Sequence, residues 1–181
     1  LSGAILTGAS GHSLVSCPDS LPDEWVCVNQ VLFGPGVNYA GVNLRELNNN
    51  RQFNLDNVNL SGANFSEANL RARLQNGNLT DANLQGGQFS FWDSNGVNLS
   101  GANFGGAISL SLNTNSANLD GASFAQANVE TWYCENCTGA FSNFDGLTST
   151  REEFWEWGLS FGRARLDGAS FVGARGAFYF E

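Results

Sequence analysis

Apolar and polar positions along this chain repeat with a period of five residues. An Asn followed by Leu or Phe occurs at Asn59-Leu60, Asn64-Phe65, Asn69-Leu70, Asn78-Leu79 and Asn83-Leu84. Further copies centre on Leu99, Phe104, Leu119, Phe124, Val129 and Phe144. Neither the 3.6-residue period of a helix nor the two-residue period of a strand gives this spacing. The pattern predicts short extended segments, each restarted by a turn.

The central Leu and Phe residues fall into columns when the sequence is divided into blocks of about twenty residues. One column contains Phe65, Leu84, Phe104, Phe124 and Phe144, and its neighbour contains Leu60, Leu79, Leu99 and Leu119. We expect these residues to stack inside a repetitive core. Coils about 4.8 Å apart would pair their backbone groups as strands do in a sheet, and a single coil would not be stable alone.

The repeat resembles that of a known family. The segment Ser61-Gly-Ala-Asn-Phe-Ser-Glu-Ala-Asn-Leu70 is similar to the pattern A(D/N)LXX of pentapeptide-repeat proteins. The resemblance extends from about Val37 to Gly146 and returns at Leu166 and Phe171. It implies an all-β fold, a right-handed quadrilateral β-helix with four pentapeptides per coil, whose central Leu or Phe and preceding small residue point inward.

We expect one continuous domain with three parts. Residues 1–36 form a lead-in, in which the alternation from Trp25 to Leu32, closed by Gly34-Pro35-Gly36, predicts a β-hairpin. This lead-in resembles the segment that precedes repeat blocks in large repetitive bacterial extracellular proteins. Residues 37–147 form the β-helix. Residues 148–181 contain a short helix starting at Thr148-Ser149-Thr150, followed by resumed repeats and an aromatic tail.

Two changes of spacing interrupt the period. The step from Leu70 to Leu74 is four residues and the step from Leu44 to Leu55 is eleven, which predicts corners or bulges, the second near residues 48–50 with one residue gained. One face also has small or polar central residues preceded two positions earlier by large ones, at Trp92/Ser94, Leu112/Thr114 and Trp132/Cys134. Compensation of volume and a widened face that holds a partner are both possible explanations.

Four cysteines form two local pairs, Cys17 with Cys27 and Cys134 with Cys137. A Cys17–Cys27 disulfide would close a loop of about ten residues. For Cys134 and Cys137 a disulfide, two reduced thiols packed in the core, a redox pair and a share in a zinc site all remain open. Paired cysteines favour an oxidising compartment. We therefore expect an extracytoplasmic protein, secreted or at the cell surface, with the periplasm or thylakoid lumen as further options.

Charge and chemistry narrow the function further. The net charge is −9, whereas nucleic-acid binding needs basic clusters, so we expect no nucleic-acid partner. No apolar run is long enough to span a membrane, so no membrane insertion is expected. His12, the single histidine, has no catalytic partners nearby in the sequence. We predict no catalytic, cofactor-binding or metal site, and no enzyme activity.

Candidate partner contacts are apolar residues outside the inward pattern: Phe91, Ile108, Leu110, Phe178, Tyr179 and Phe180. Scattered exposure without function is the alternative for the first three. Repeat-like triplets at both ends predict a structural or binding scaffold, a module of a longer precursor. Such a module would stack head to tail, with residues 166–180 against residues 1–10 of another copy, or bind a protein laterally. The alternative is a DNA-mimicking inhibitor of a type II topoisomerase, as the resemblance implies for some family members.

Overall fold

The chain winds into stacked coils that pair in parallel. The computed structural model describes residues 4–44, 52–149, 159–176 and 178–180. One column of bridge-paired residues runs along the stack through Asn38, Asn64, Asn83, Asn103, Ser123, Asn143 and Ser170. From Asn64 to Asn143 successive members are 19 or 20 residues apart, which is one coil. The predicted β-helix is confirmed.

Ten strands accompany these isolated bridges in the described residues. They are β1 (Val26–Val28), β2 (Val31–Phe33), β3 (Phe53–Asn54), β4 (Asn69–Arg73), β5 (Gln88–Phe91), β6 (Ser109–Asn113), β7 (Asn128–Tyr133), β8 (Thr148–Ser149), β9 (Leu159–Ser160) and β10 (Phe178–Tyr179). Strands β1 and β2 pair antiparallel, which confirms the hairpin. The others form a parallel sheet in the order β10-β9-β7-β6-β5-β4-β3, with β8 also paired to β7.

The Asn of each repeat has two structural roles. Its backbone joins neighbouring coils, since Leu60 N donates to Asn78 O at 2.7 Å and Asn78 N donates to Val58 O at 3.0 Å. Its side chain stabilises the following turn, because Asn59 Oδ1 accepts a hydrogen bond of 3.0 Å from Ser61 N. The residue type therefore follows from the turn geometry.

The turns require left-handed backbone. In the coil that contains β6, Gly96, Gly101 and Gly106 have φ values of 69°, 66° and 64°. Glycine takes this conformation without steric cost. Strand β6 forms the remaining side of the same coil. These turns recur every five residues, and each one begins a new short segment.

The core is a set of side-chain ladders. Both predicted columns are fully buried, Phe65, Leu84, Phe104, Phe124 and Phe144 in one and Leu60, Leu79, Leu99 and Leu119 in the other. Ala63, Ala82, Ala102 and Ala122 lie between them and are also buried. Alternating large and small residues fill a narrow interior without voids. This arrangement confirms the inward pattern.

The two spacing changes have different origins. Leu70 and Ala72 are buried alternate residues of strand β4, and Leu74, which directly follows the strand, is also buried, so the predicted corner or bulge between Leu70 and Leu74 is wrong. The longer step falls at residues 45–51, which lie outside the described residues. The paired residues Asn38 and Asn64 are 26 positions apart, so this coil contains more than the one extra residue expected.

The N-terminal lead-in forms an additional layer on the first coil. Gly8 N donates to Gly36 O at 2.8 Å, and Asn38 N donates to Ala9 O at 2.9 Å. Ala9 N also donates to Leu6 O at 2.8 Å, as Ala63 N does to Leu60 O within the repeats. The lead-in is therefore continuous with the stack.

Beyond the last regular coil the expected helix start is wrong. Thr148 and Ser149 form β8, because Thr148 N donates to Ala127 O at 2.9 Å and continues the sheet. Residues 150–158, where the remainder of that helix was predicted, lie outside the described residues. The resumed repeats stack as expected, with Thr138 paired to Arg165 and Asn143 to Ser170.

Candidate binding surfaces

Two of the three residues predicted to form a lateral contact patch point inward. Phe91 and Leu110 are fully buried, while Ile108 is 57% exposed. In β5 the alternation places Phe89 and Phe91 in the core, and Leu110 pairs with Phe89 across the coils. The prediction assumed a turn every five residues. This side is instead a continuous strand, in which every second side chain points inward. The predicted lateral patch is wrong for Phe91 and Leu110.

The face with exchanged large and small positions is partly as expected. Ser94, Thr114 and Cys134 are buried central residues, and Trp132 is buried beside them. Trp132 Nε1 donates a 2.9 Å hydrogen bond to Thr114 Oγ1, which satisfies both groups in the core. Trp92 differs from Trp132 because its side chain lies on the outer face.

Both cysteine pairs are disulfide-bonded. Cys17 and Cys27 join with Cα atoms 5.7 Å apart, and Cys134 and Cys137 join with Cα atoms 5.5 Å apart. The second pair is buried, whereas Cys17 is exposed. Of the four interpretations left open for Cys134 and Cys137, the structure has the short-range bridge. The first bridge ties the lead-in to the hairpin strand β1.

Tyr39 anchors the N-terminal layer to the first coil. Its side chain is buried, and its hydroxyl oxygen lies 2.6 Å from Leu32 O and 2.8 Å from Gly11 O. The same oxygen accepts a 3.3 Å hydrogen bond from Gly11 N. Burial raises the pKa of Tyr39 to about 12, so the phenol stays neutral.

The last coil has an exposed row of backbone donors. In the preceding coil Gly139 N, Phe141 N, Phe144 N and Gly146 N donate to the last coil at 2.8–2.9 Å. The equivalent N–H groups one coil later belong to Leu166, Gly168, Phe171 and Gly173, and they donate no hydrogen bond within the described part of the chain. Among the described residues, this edge of the coil is therefore unpaired.

Aromatic side chains cover the interior of the same coil only in part. Phe171 stacks on Phe144 with ring centroids 4.6 Å apart, and Phe180 stacks on Phe161 at 5.8 Å. Phe178 contacts both outer rings, 5.8 Å from Phe171 and 6.3 Å from Phe180. We call Leu166, Phe171, Phe178 and Phe180, with the four backbone donors, the C-terminal end surface. The predicted tail residues Phe178 and Phe180 belong to it, and Phe180 remains 56% exposed.

A second surface was missed by sequence reasoning. Trp92, Tyr133 and Tyr179 lie on the outer side of the parallel sheet, in alternate coils. We call these three residues the aromatic column. Tyr179 was predicted as part of the tail, but Trp92 was expected to point inward. The five-residue register places Tyr133 outward, and alternation from the buried neighbour Phe91 would have identified Trp92 as outward too.

One pair of charged groups on the outer surface is held together by hydrogen bonds. Asp56 accepts hydrogen bonds from the Arg73 guanidinium and, at 3.0 Å, from Gln75 N. The Arg73 bond holds the pKa of Asp56 below its usual value. Across the described ranges no three His, Cys, Asp or Glu side chains lie close enough to hold a metal ion. Those ranges also contain no helix with the length and apolar character to span a membrane.

Comparison with known proteins supports the repeat assignment. The family model described as pentapeptide repeats matches eight copies, over residues 51–86 and 78–108. No curated protein matches the chain.

Solved structures similar to this chain include QnrB1, a plasmid-mediated fluoroquinolone resistance protein, with 16% identity and a TM-score of 0.32 over 81% of this chain and 79% of that one. HetL, a pentapeptide repeat protein involved in heterocyst differentiation regulation from Nostoc sp. strain PCC 7120, is 20% identical with a TM-score of 0.25, over 72% and 90%. Rfr23 from Cyanothece 51142, also a pentapeptide repeat protein, is 18% identical with a TM-score of 0.24, over 77% and 97%. The eight matched copies lie within the stack of parallel coils, so residues 51–86 and 78–108 consist of pentapeptide repeats.

Proposed function

We propose that this protein is a non-enzymatic scaffold that assembles head to tail with further copies of itself. The observation that carries the proposal is the row of four backbone donors on the C-terminal end surface. A coil of another copy placed on this row would form the hydrogen bonds that every internal coil makes. Addition of a strand to an exposed edge is a common mode of protein recognition.

The apolar part of the same surface adds to this interaction. Phe171 stacks on Phe144, and Phe180 stacks on both Phe161 and Phe178 but remains 56% exposed. An incoming coil would cover the exposed part of this cluster and remove apolar area from water, at about 25 cal/mol per Å². Backbone pairing would set the register, and aromatic burial would contribute most of the affinity.

The N-terminal layer is the complementary end. Its residues already follow the repeat geometry, as the Ala9 N to Leu6 O turn shows. Ile5 and Val15 are almost fully exposed on this layer. A head-to-tail contact uses two different surfaces, so it does not close on itself and can propagate.

The net charge of −9 opposes association of identical copies. Salt screens such repulsion, with a Debye length of about 10 Å at 0.1 M ionic strength. Association should therefore strengthen as salt is added. Binding through opposite charges would weaken under the same change.

DNA mimicry receives less support from the outer surface. The ladder Asn59, Asn78, Asn98 and Asn118 runs along one side of the rod. These residues are neutral, whereas a mimic of DNA would present regularly spaced negative charge. Paired cysteines support the proposal that assembly takes place outside the cytoplasm.

A matched pair of variants tests the assembly. Phe180→Arg places a charge on the C-terminal end surface, and Phe141→Arg places the same charge on the side of the rod, where Phe141 is 79% exposed. We expect the molar mass from light scattering to rise with concentration for the natural chain and for Phe141→Arg, but to remain that of a monomer for Phe180→Arg. A natural chain that is monomeric at every concentration, with or without added salt, would refute the proposal.

A further inference from the structure

The aromatic column has a regular spacing set by the sheet. Asn113 pairs with Tyr133, Tyr133 with Ser160, and Ser160 with Tyr179. Trp92 directly follows Phe91, whose partner Leu112 precedes Asn113. Aromatic and small polar residues therefore alternate from coil to coil. Coils about 4.8 Å apart place successive aromatic residues about 9.6 Å apart.

Two slots separate the three rings. The first, between Trp92 and Tyr133, has a volume of about 340 Å³ and includes Ser111, Asn113 and Thr131 in its lining. The second, between Tyr133 and Tyr179, has a volume of about 360 Å³, with Ser160 below it. Tyr133 is the wall common to both. The slots are similar in size and lie in line along the rod.

The walls and floors carry the groups that a ligand would contact. The Arg71 guanidinium lies 5.5 Å from the centroid of the Trp92 ring and belongs to the preceding coil. This cation therefore supports Trp92 from the side away from the first slot. In the floor, the amide oxygen of Asn113 is buried and accepts no hydrogen bond from the described residues. Rotation of this amide toward a ligand N–H would supply the missing partner.

The spacing distinguishes among extended ligands. A polyproline II helix has three residues per turn and a rise of about 3.1 Å, so equivalent side chains recur every 9.3 Å or so. In a β-strand, side chains on one face recur about every 6.7 Å, which does not match the column. Aromatic-lined grooves are the usual receptors for proline-rich segments.

We propose that the aromatic column binds a proline-rich peptide in the polyproline II conformation, lying along the rod axis. Prolines at every third position occupy the two slots between the three rings. The residues between them face solvent, and near the second slot they meet both Glu135 and Arg163. This site is on the side of the rod, and Tyr179 alone adjoins the C-terminal end surface, between Phe178 and Phe180.

Isothermal titration calorimetry with two synthetic peptides tests this site. The first has proline at every third position with lysine between, and the second has the same composition with proline at every fourth position. We expect saturable binding of the first peptide and at least about tenfold weaker binding of the second. Equal binding of both, or of neither, would overturn the proposal.

Variants then locate the contact. Trp92→Ala changes an exposed side chain, and we expect it to raise Kd about tenfold or more. We expect the same of Tyr133→Ala, which removes the wall shared by the two slots. Phe141→Ala removes an exposed aromatic residue from another side and should leave Kd unchanged. If Tyr133→Ala has a lower melting temperature, Trp92→Ala alone decides. An unchanged Kd for Trp92→Ala, or saturable binding of a neutral oligosaccharide without peptide binding, contradicts the proposal.

Discussion

The phenyl rings of Phe104 and Phe124 stack with centroids 4.7 Å apart and planes within 8° of parallel. Phe124 and Phe144 repeat the arrangement at 5.5 Å and 4°. Each pair is separated by twenty positions in the sequence. Residues of one column therefore occupy equivalent sites in successive coils, and the Phe124 ring is packed by a parallel ring above and another below.

Removing the central ring should destabilise the stack strongly. Phe124→Ala leaves a cavity between Phe104 and Phe144, and we expect the free energy of unfolding to fall by about 3–5 kcal/mol. Phe141→Ala removes the same group from the surface and should change it by less than about 0.5 kcal/mol. Chemical denaturation measures both. Equal losses in the two variants would show that the assignment of inward and outward positions is mistaken.

The hydroxyl of Tyr39 should matter to the N-terminal layer. Tyr39→Phe leaves the buried carbonyls of Gly11 and Leu32 without this donor, at a cost of about 1–3 kcal/mol. Hydrogen exchange should increase at Gly11 and Leu32 and remain unchanged at Phe104. If Gly11 and Leu32 exchange at the same rates in the variant and in the natural chain, the hydroxyl does not anchor the layer.

Tyr39 also predicts a response to alkaline pH. Its folded pKa of about 12 exceeds the ordinary value of 10.0, so the neutral phenol is favoured by folding. This contribution is fully present below pH 10 and is lost as the pH rises through about 12. Melting temperatures between pH 9 and 12 should fall more steeply for the natural chain than for Tyr39→Phe. Parallel curves would contradict this expectation.

The pairing of Asp56 with Arg73 predicts a response at acidic pH. Because the folded pKa of Asp56 is lowered, its contribution to stability is present above the unfolded pKa, about 3.9, and is lost as the pH falls below it. Asp56→Asn should lower the melting temperature at pH 7, and the difference should shrink below pH 4. Asp167→Asn, at an exposed position, is the control and should have little effect at either pH.

The two disulfides should differ in accessibility. Cys17 is exposed, whereas Cys134 and Cys137 are both buried. Alkylation of freshly isolated protein without reductant should label none of the four cysteines, as mass spectrometry would show. Mild reduction should then release Cys17 and Cys27 first. Four labelled cysteines before reduction would contradict both bridges and remove the main support for an extracytoplasmic location.

The columns of the core were predictable because each five-residue repeat forms one side of a coil, so residues about twenty positions apart stack. Phe65, Phe104 and Leu119 are buried where counting by five places them. The same counting failed at Phe91 and Leu110, where a continuous strand replaces a turn and alternation decides which side chains point inward. The five-residue period and the two-residue alternation of a strand predict different inward residues there, and the alternation determines the structure.

The candidate surfaces depended on information that no local pattern contains. Phe178 and Phe180 were recognisable as tail residues, but their stacking on Phe171 and Phe161 arises only when distant segments are brought together. The aromatic column likewise joins Trp92 and Tyr179, which are far apart in the sequence. Between them Thr138 pairs with Arg165, 27 positions later and not the usual twenty, so the alignment of Tyr179 with Trp92 could not be counted from the repeat.

The most direct test of head-to-tail assembly is small-angle X-ray scattering over a concentration series. The account predicts that the maximum dimension grows with concentration while the cross-sectional radius of gyration stays constant, since copies are added along the rod axis. Phe180→Arg should abolish the growth, and Phe141→Arg should not. A maximum dimension that does not change, or a cross-section that widens as the mass increases, would contradict end-to-end stacking.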